Sequence, residues 1–154
     1  MRVLLTMISL CLLLTSCEVF NSSSNNGDIE LIEANKKLWS SSNSQNYTFK
    51  NSRTCECPPP YDYTVEVVNG EIKNVHFEKQ EHISYERKDM TINTTRTIDE
   101  LFDLLEKYEE TADHFEVEFH KELGYPTKIN IDPSREMADE EITLEISNVS
   151  PLSN

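Results

Sequence analysis

Three groups of residues in this chain have the types and spacing to do chemistry. The first is Cys55-Glu56-Cys57-Pro58-Pro59-Pro60, two thiols one residue apart ahead of three prolines. Thiols can form a disulfide, bind a metal or exchange electrons. The second is His114, Glu116, Glu118 and His120, which alternate along one strand-like run. Imidazole and carboxylate suit zinc or copper. No tetrahedral set is evident, however, and an outward strand face is ordinarily polar, so no metal site is assigned. The third is Asp132, Asp139, Glu140 and Glu141 around one turn. Oxygen ligands suit calcium, but the spacing is not that of an EF-hand loop, and solvated loop carboxylates are the simpler reading. Other chemistries lack their parts. There is no Gly-x-Ser-x-Gly, and three glycines in the whole chain leave none for a phosphate-cradling loop. No cofactor is implied.

The N-terminus changes what those thiols can do. Arg2 is a short positive region and Val3 to Leu14 is apolar, too short to span a bilayer as a mature helix. Leu14-Thr15-Ser16-Cys17 then resembles the lipobox of bacterial lipoproteins. The expectation is a lipoprotein-type signal peptide over residues 1–16, with Cys17 as the lipidation site and first mature residue. Acyl chains there would anchor the protein to a bacterial membrane without a transmembrane helix, facing outside the cytoplasm, in the periplasm or at the surface. The membrane, through Cys17, and an envelope protein are the partners this implies. Cys11 leaves with the signal and Cys17 is acylated, so Cys55 and Cys57 can pair only with each other within one chain.

Geometry resists that pairing. In an extended strand, residues i and i+2 lie about 6.6 Å apart, whereas a disulfide needs Cβ atoms about 3.8 Å apart. A bridge therefore requires a local bulge or turn, and its very small loop would add little through chain entropy. A rigidifying disulfide is the first reading, reduced thiols or a metal site the second, and catalytic redox the third.

Composition bounds the rest. The chain of 154 residues has 28 acidic against 14 basic residues, a formal charge of −14. Such a surface repels nucleic acid, which is excluded as a partner. Residues 17–27 contain Asn-Ser-Ser-Ser-Asn-Asn-Gly and read as a flexible tether. Residues 28–150 are one domain's length, and residues 151–154 are a tail.

Within the domain, Asp28 caps a helix to about Ser41, with Trp39 as a core anchor. Tyr47 and Phe49 lie on one face of a strand over residues 46–54; Tyr63, Val65 and Val67 line the next. Asn69-Gly70 is a strong hairpin signal of type I′. It leads into a third strand in which Ile72 is out of phase, which predicts a bulge. Residues 80–96 fit a continued strand or a long loop. Thr97-Ile98-Asp99-Glu100 reads as a capping box, opening a helix with Ile98, Leu101, Phe102, Leu105 and Tyr108 on one stripe. Three strands follow, carrying Phe115, Val117 and Phe119, then Ile129 and Ile131, then Ile142, Leu144 and Ile146 inward. The expected fold is α+β: an antiparallel sheet of about five to six strands, with an N-terminal helix and one central helix packed on one face.

Leu38-Trp39, Tyr47-x-Phe49, Cys55-x-Cys57-Pro58, Asn69-Gly70, Thr97 to Phe102, Gly124-Tyr125-Pro126-Thr127, Ile131-Asp132 and Asp139-Glu140-Glu141 fall in order along the chain. Together they resemble an uncharacterised family of bacterial lipoproteins, domain-of-unknown-function family 6174. The resemblance implies a one-domain lipoprotein and no activity. The family has an aromatic residue between its cysteines, where this chain has Glu56. The sequence thus points to a non-enzymatic, membrane-anchored binding or accessory module. The alternative is a thiol/disulfide or metal-binding envelope protein centred on Cys55 and Cys57.

Overall fold

The computed structural model describes residues 26–42, 45–53, 62–78, 83–137 and 140–152. The expectations for residues 1–25, Cys17 among them, and for Cys55 and Cys57 lie outside the described residues, as does that for Asp139. The order of elements is α1 (Asn26–Ser41), β1 (Tyr47–Arg53), β2 (Asp62–Val68), β3 (Glu71–Phe77), α2 (Tyr85–Thr94), α3 (Ile98–Tyr108), β4 (His114–Phe119), β5 (Pro126–Asp132) and β6 (Ile142–Pro151). The strands form one six-stranded sheet in the order β3-β2-β1-β6-β5-β4. All five pairings are antiparallel. Two three-stranded meanders therefore meet at β1 and β6. The connection from β3 to β4 joins opposite edges, which sends α2 and α3 across a face of the sheet.

One face of the sheet is apolar because the strands alternate. Tyr47 and Phe49 of β1, Val65 and Val67 of β2, Ile129 and Ile131 of β5, and Leu144 and Ile146 of β6 are buried in one core. Ile98, Leu101, Phe102, Leu104 and Leu105 of α3 and Ile32 and Trp39 of α1 join it, with Tyr63, Phe77 and Tyr125. Trp39 meets Tyr47 edge-on at 5.2 Å and Tyr125 at 6.2 Å between ring centroids. It is the core anchor its position predicted. Phe102 stacks on Phe119 at 6.0 Å, seating α3 over the β4 side. Lys36 ties α1 to α3 through Asp103 at 3.2 Å and Glu106 at 2.8 Å.

Local signals explain the boundaries. Asn69 and Gly70 have φ of +54° and +79°, as the type I′ turn requires. The β2–β3 register passes from Glu66↔Asn74 to Val67↔Ile72, which leaves Lys73 as the extra residue and brings Ile72 into phase. The capping box is present: Thr97 Oγ1 accepts from the Glu100 amide at 3.2 Å, and Glu100 Oε2 accepts from the Thr97 amide at 2.7 Å. A further donor at this helix start, the Ile98 amide, gives to the Tyr47 hydroxyl at 3.1 Å.

Three expectations need correction. Residues 85–94 are the helix α2, neither strand nor loop. It has no buried residue, so no apolar stripe records its period, and Ser84 caps it by accepting from the Arg87 amide. There are thus two central helices. The helix α1 begins at Asn26, inside the expected tether. Pro151, placed in the tail, is the last residue of β6 opposite Tyr47. Leu152 donates to the Asn46 carbonyl at 3.0 Å, so Tyr47 and Pro151 face each other without hydrogen bonds and the missing proline N–H costs the ladder nothing.

Candidate functional site

The inward row of β1 runs Tyr47, Phe49, Asn51. Its third member is polar where the pattern calls for an apolar residue, and Asn51 is only 3% exposed. Across the ladder it pairs with Tyr63 of β2, and Asn51 Nδ2 donates to the Tyr63 hydroxyl at 2.8 Å. Asn51 Oδ1 is buried and has no hydrogen-bond partner among the described residues. An unpaired buried acceptor of this kind costs about 1–3 kcal/mol.

Asn51 is one of the residues around a cavity of about 240 Å³. The cavity is built from the ends of several elements: Asn51 and Arg53 of β1, Tyr63 of β2, Ile142 and Leu144 of β6, and Leu101 in the first turn of α3. Thr94 and Arg96, where α2 gives way to α3, close the remaining side. This junction is held by Thr95, whose hydroxyl donates to the Thr91 carbonyl at 2.7 Å. Arg96 donates to the Thr94 carbonyl at 3.2 Å. Neither Arg53 nor Arg96 forms an ion pair with a described residue, although acidic residues outnumber basic ones two to one.

Burial pushes the Tyr63 hydroxyl above its ordinary pKa, against the opposing pull of Thr95, Arg53, Asn51 and Arg96. Tyr63 is therefore a neutral phenol at neutral pH, a hydrogen-bonding group and not a base. The ionisable side chains lining the cavity are this phenol and the guanidiniums of Arg53 and Arg96. The lining therefore combines two guanidiniums and a phenol with an apolar wall of Leu101, Ile142 and Leu144.

The groups picked out by sequence fare differently. His114 Nε2 lies 3.6 Å from Glu116 Oε1 and 3.4 Å from Asn130 Nδ2. Glu118 faces Lys128 at 4.0 Å. His120 is turned away from them. Its Nδ1 accepts from the Glu122 and Leu123 amides at 3.3 and 3.2 Å, and its ring stacks on Tyr125 at 4.8 Å. It organises the β4–β5 turn. Asp132 accepts from the Ser134 amide at 3.0 Å. No cluster of three or more metal-ligating side chains occurs among the described residues. The cavity was missed by sequence reasoning. The one available signal was Asn51 at an inward position, followed two residues later by an arginine in an acidic chain.

The model of the family of unknown function DUF6174 matches residues 31–151. The chain belongs to this family. The match runs from α1 to the end of β6, so the DUF6174 region includes every element of the sheet and all the residues that line the cavity. No curated protein and no solved structure matches the chain.

Proposed function

We propose that this DUF6174 chain is a lipid-anchored protein of the bacterial cell envelope whose folded domain binds and does not catalyse. The anchor reading rests on Arg2, the apolar run Val3 to Leu14 and Leu14-Thr15-Ser16-Cys17. The binding reading rests on one observation: the cavity is lined by Arg53, Arg96, Asn51 and Tyr63 beside an apolar wall, and burial keeps the Tyr63 phenol protonated, so that it is no general base. The residues ahead of α1, 17–25, would act as a tether that holds the domain off the bilayer, within reach of an envelope partner.

Replacing Cys17 with alanine is the direct test of the anchor. The variant is expected to lack acyl chains by mass and to leave the membrane fraction. Unchanged fractionation would defeat the anchor reading. A turnover activity abolished by a point substitution in the cavity would defeat the binding reading.

A second reading places thiol, disulfide or metal chemistry at Cys55 and Cys57. It is favoured by chain connectivity, since their segment joins Arg53, a lining residue, to Asp62, the neighbour of Tyr63. The intact mass of the native protein separates the cases: two hydrogen atoms lost for a disulfide, added mass for a metal.

A further inference from the structure

We propose that the free edge of β4 takes a seventh strand: an extended peptide of a partner protein in which basic residues alternate with apolar ones. The site is the run His114 to Phe119, at the opposite end of the sheet from β3. It uses none of the residues that line the cavity.

Three observations carry the assignment. First, β4 ends the sheet and, among the described residues, pairs with β5 alone. One side of its backbone therefore presents N–H and C=O groups that no strand meets. The other edge, β3, carries Lys73 in a bulge, and lysine and bulges are what keep an edge from pairing. β4 holds neither lysine nor proline, and its register with β5 runs unbroken from His114 to Glu118.

Second, the inward row of β4 is half covered. Phe115 lies opposite Ile131, and Val117 opposite Ile129. The two isoleucines, with a strand on either side, are wholly buried, whereas Phe115, Val117 and Phe119 are only partly so. A further strand would cover this row with every second side chain of its own.

Third, the outward row sets the charge. Glu116 and Glu118 are exposed, and their ion-pair partners among the described residues stand off, His114 Nε2 at 3.6 Å and Lys128 Nζ at 4.0 Å. Residues directly opposite them on an added strand would share their face, where opposite charges stabilise and like charges destabilise. The occupant therefore carries lysine or arginine at those positions. The same rule sets aside a second copy of this chain, because two β4 strands overlapped antiparallel along their length bring glutamate against glutamate. In such strand addition the main chain supplies affinity and the alternate side chains supply specificity.

Fluorescence anisotropy of labelled hexapeptides with the purified full chain tests this, the length being that of β4. The probes are an alternating lysine–valine peptide, its glutamate–valine counterpart, and the lysine–valine peptide with every backbone nitrogen methylated. The first is expected to bind best, and the other two to be weaker by about tenfold or more. Glu116→Lys combined with Glu118→Lys should weaken the lysine–valine peptide by about tenfold or more and favour the glutamate–valine one. Glu30→Lys combined with Glu33→Lys, the same change of net charge at exposed positions of α1, should leave binding within about twofold. Amide hydrogen exchange should slow over residues 114–119 on binding and not over residues 71–77. Equal binding of the methylated peptide, or an equal loss in the α1 variant, would show general attraction to an acidic protein. Protection of residues 114–119 that grows with protein concentration without peptide would give the edge to a second copy. Either result, or no binding by any probe, would overturn the proposal and leave the cavity reading standing.

Discussion

Replacing Gly124 with alanine probes how α1 is held against the sheet, and the structure gives its magnitude in two parts. Gly124 sits in the β4–β5 turn with φ of +74°. An L-residue in that region costs roughly 1–2 kcal/mol. A Cβ added there would also run into the Asn35 carbonyl oxygen and meet Leu38 Cβ at 2.9 Å and the Trp39 amide nitrogen at 3.1 Å. Two of those atoms are backbone of α1 and cannot swing aside, so the helix must move. Overpacking of this kind costs about 1–3 kcal/mol. The expected total is about 2–5 kcal/mol, a large share of the roughly 5–15 kcal/mol that holds an ordinary domain together.

Gly70 supplies the control. Its φ is +79°, but an added Cβ meets nothing within 4 Å, so Gly70→Ala should cost only the backbone part, about 1–2 kcal/mol. Urea unfolding followed by the fluorescence of Trp39, the single tryptophan, measures both. The midpoint for Gly124→Ala should fall well below that for Gly70→Ala at an unchanged slope. Equal losses would refute the claim that α1 is seated by backbone contact at this glycine.

Two further perturbations read out buried polar groups. Tyr47→Phe leaves the Ile98 amide at the start of α3 without its acceptor and should cost about 1–3 kcal/mol. Burial raises the Tyr47 hydroxyl above its usual range, so the wild type should lose stability as pH rises past about 10. A Phe variant with a smaller alkaline loss, the remainder coming from Tyr63 and Tyr125, whose hydroxyls burial also raises, is the expected result by thermal melts across pH; parallel curves would contradict it. Glu109, at the end of α3, is 6% exposed with Oε1 unpartnered among the described residues. Burial first, then Glu110 and Asp28, raise its carboxyl pKa above 4.5. The folded state therefore holds this proton more tightly than the unfolded chain. No penalty exists below about pH 4.5, and one grows as pH rises through the raised value. Glu109→Gln should stabilise at pH 7 and make no difference near pH 4. A stabilisation that persists undiminished at pH 4 would show that charge is not the cause.

Much of the fold was legible because its signals are local. Asn69-Gly70 and the Thr97–Glu100 capping box each specify geometry within four residues, and both appear as read. The alternation in β1, β2, β5 and β6 survives because one face meets the helices and the other meets water. The helix α2 was illegible for the converse reason. It buries no residue, so packing imposes no period on it, and its exposed Tyr85, Met90 and Ile92 fit a strand pattern as well as a helix. His120 misled in a subtler way: its parity with His114 is real in sequence, but its strand ends at Phe119 and the imidazole serves the turn. The cavity was illegible because it is not a motif. Its lining comes from β1, β2, β6, α3 and the segment between the two central helices, and only the crossing from β3 to β4 brings these together.

Stability alone does not account for Asn51. Its neighbours on the same row, Tyr47 and Phe49, are almost wholly buried, and so is Val65 on the adjoining strand. A leucine at position 51 would extend that apolar surface towards Leu144 and Ile142 and would leave no orphan oxygen. The asparagine instead buries an amide that satisfies only its donor side within the described chain. Replacing such a group with an apolar one of similar shape is often neutral or stabilising. The fold therefore carries at this position an amide whose oxygen no described residue satisfies, where an apolar side chain of similar shape would leave nothing unpaired.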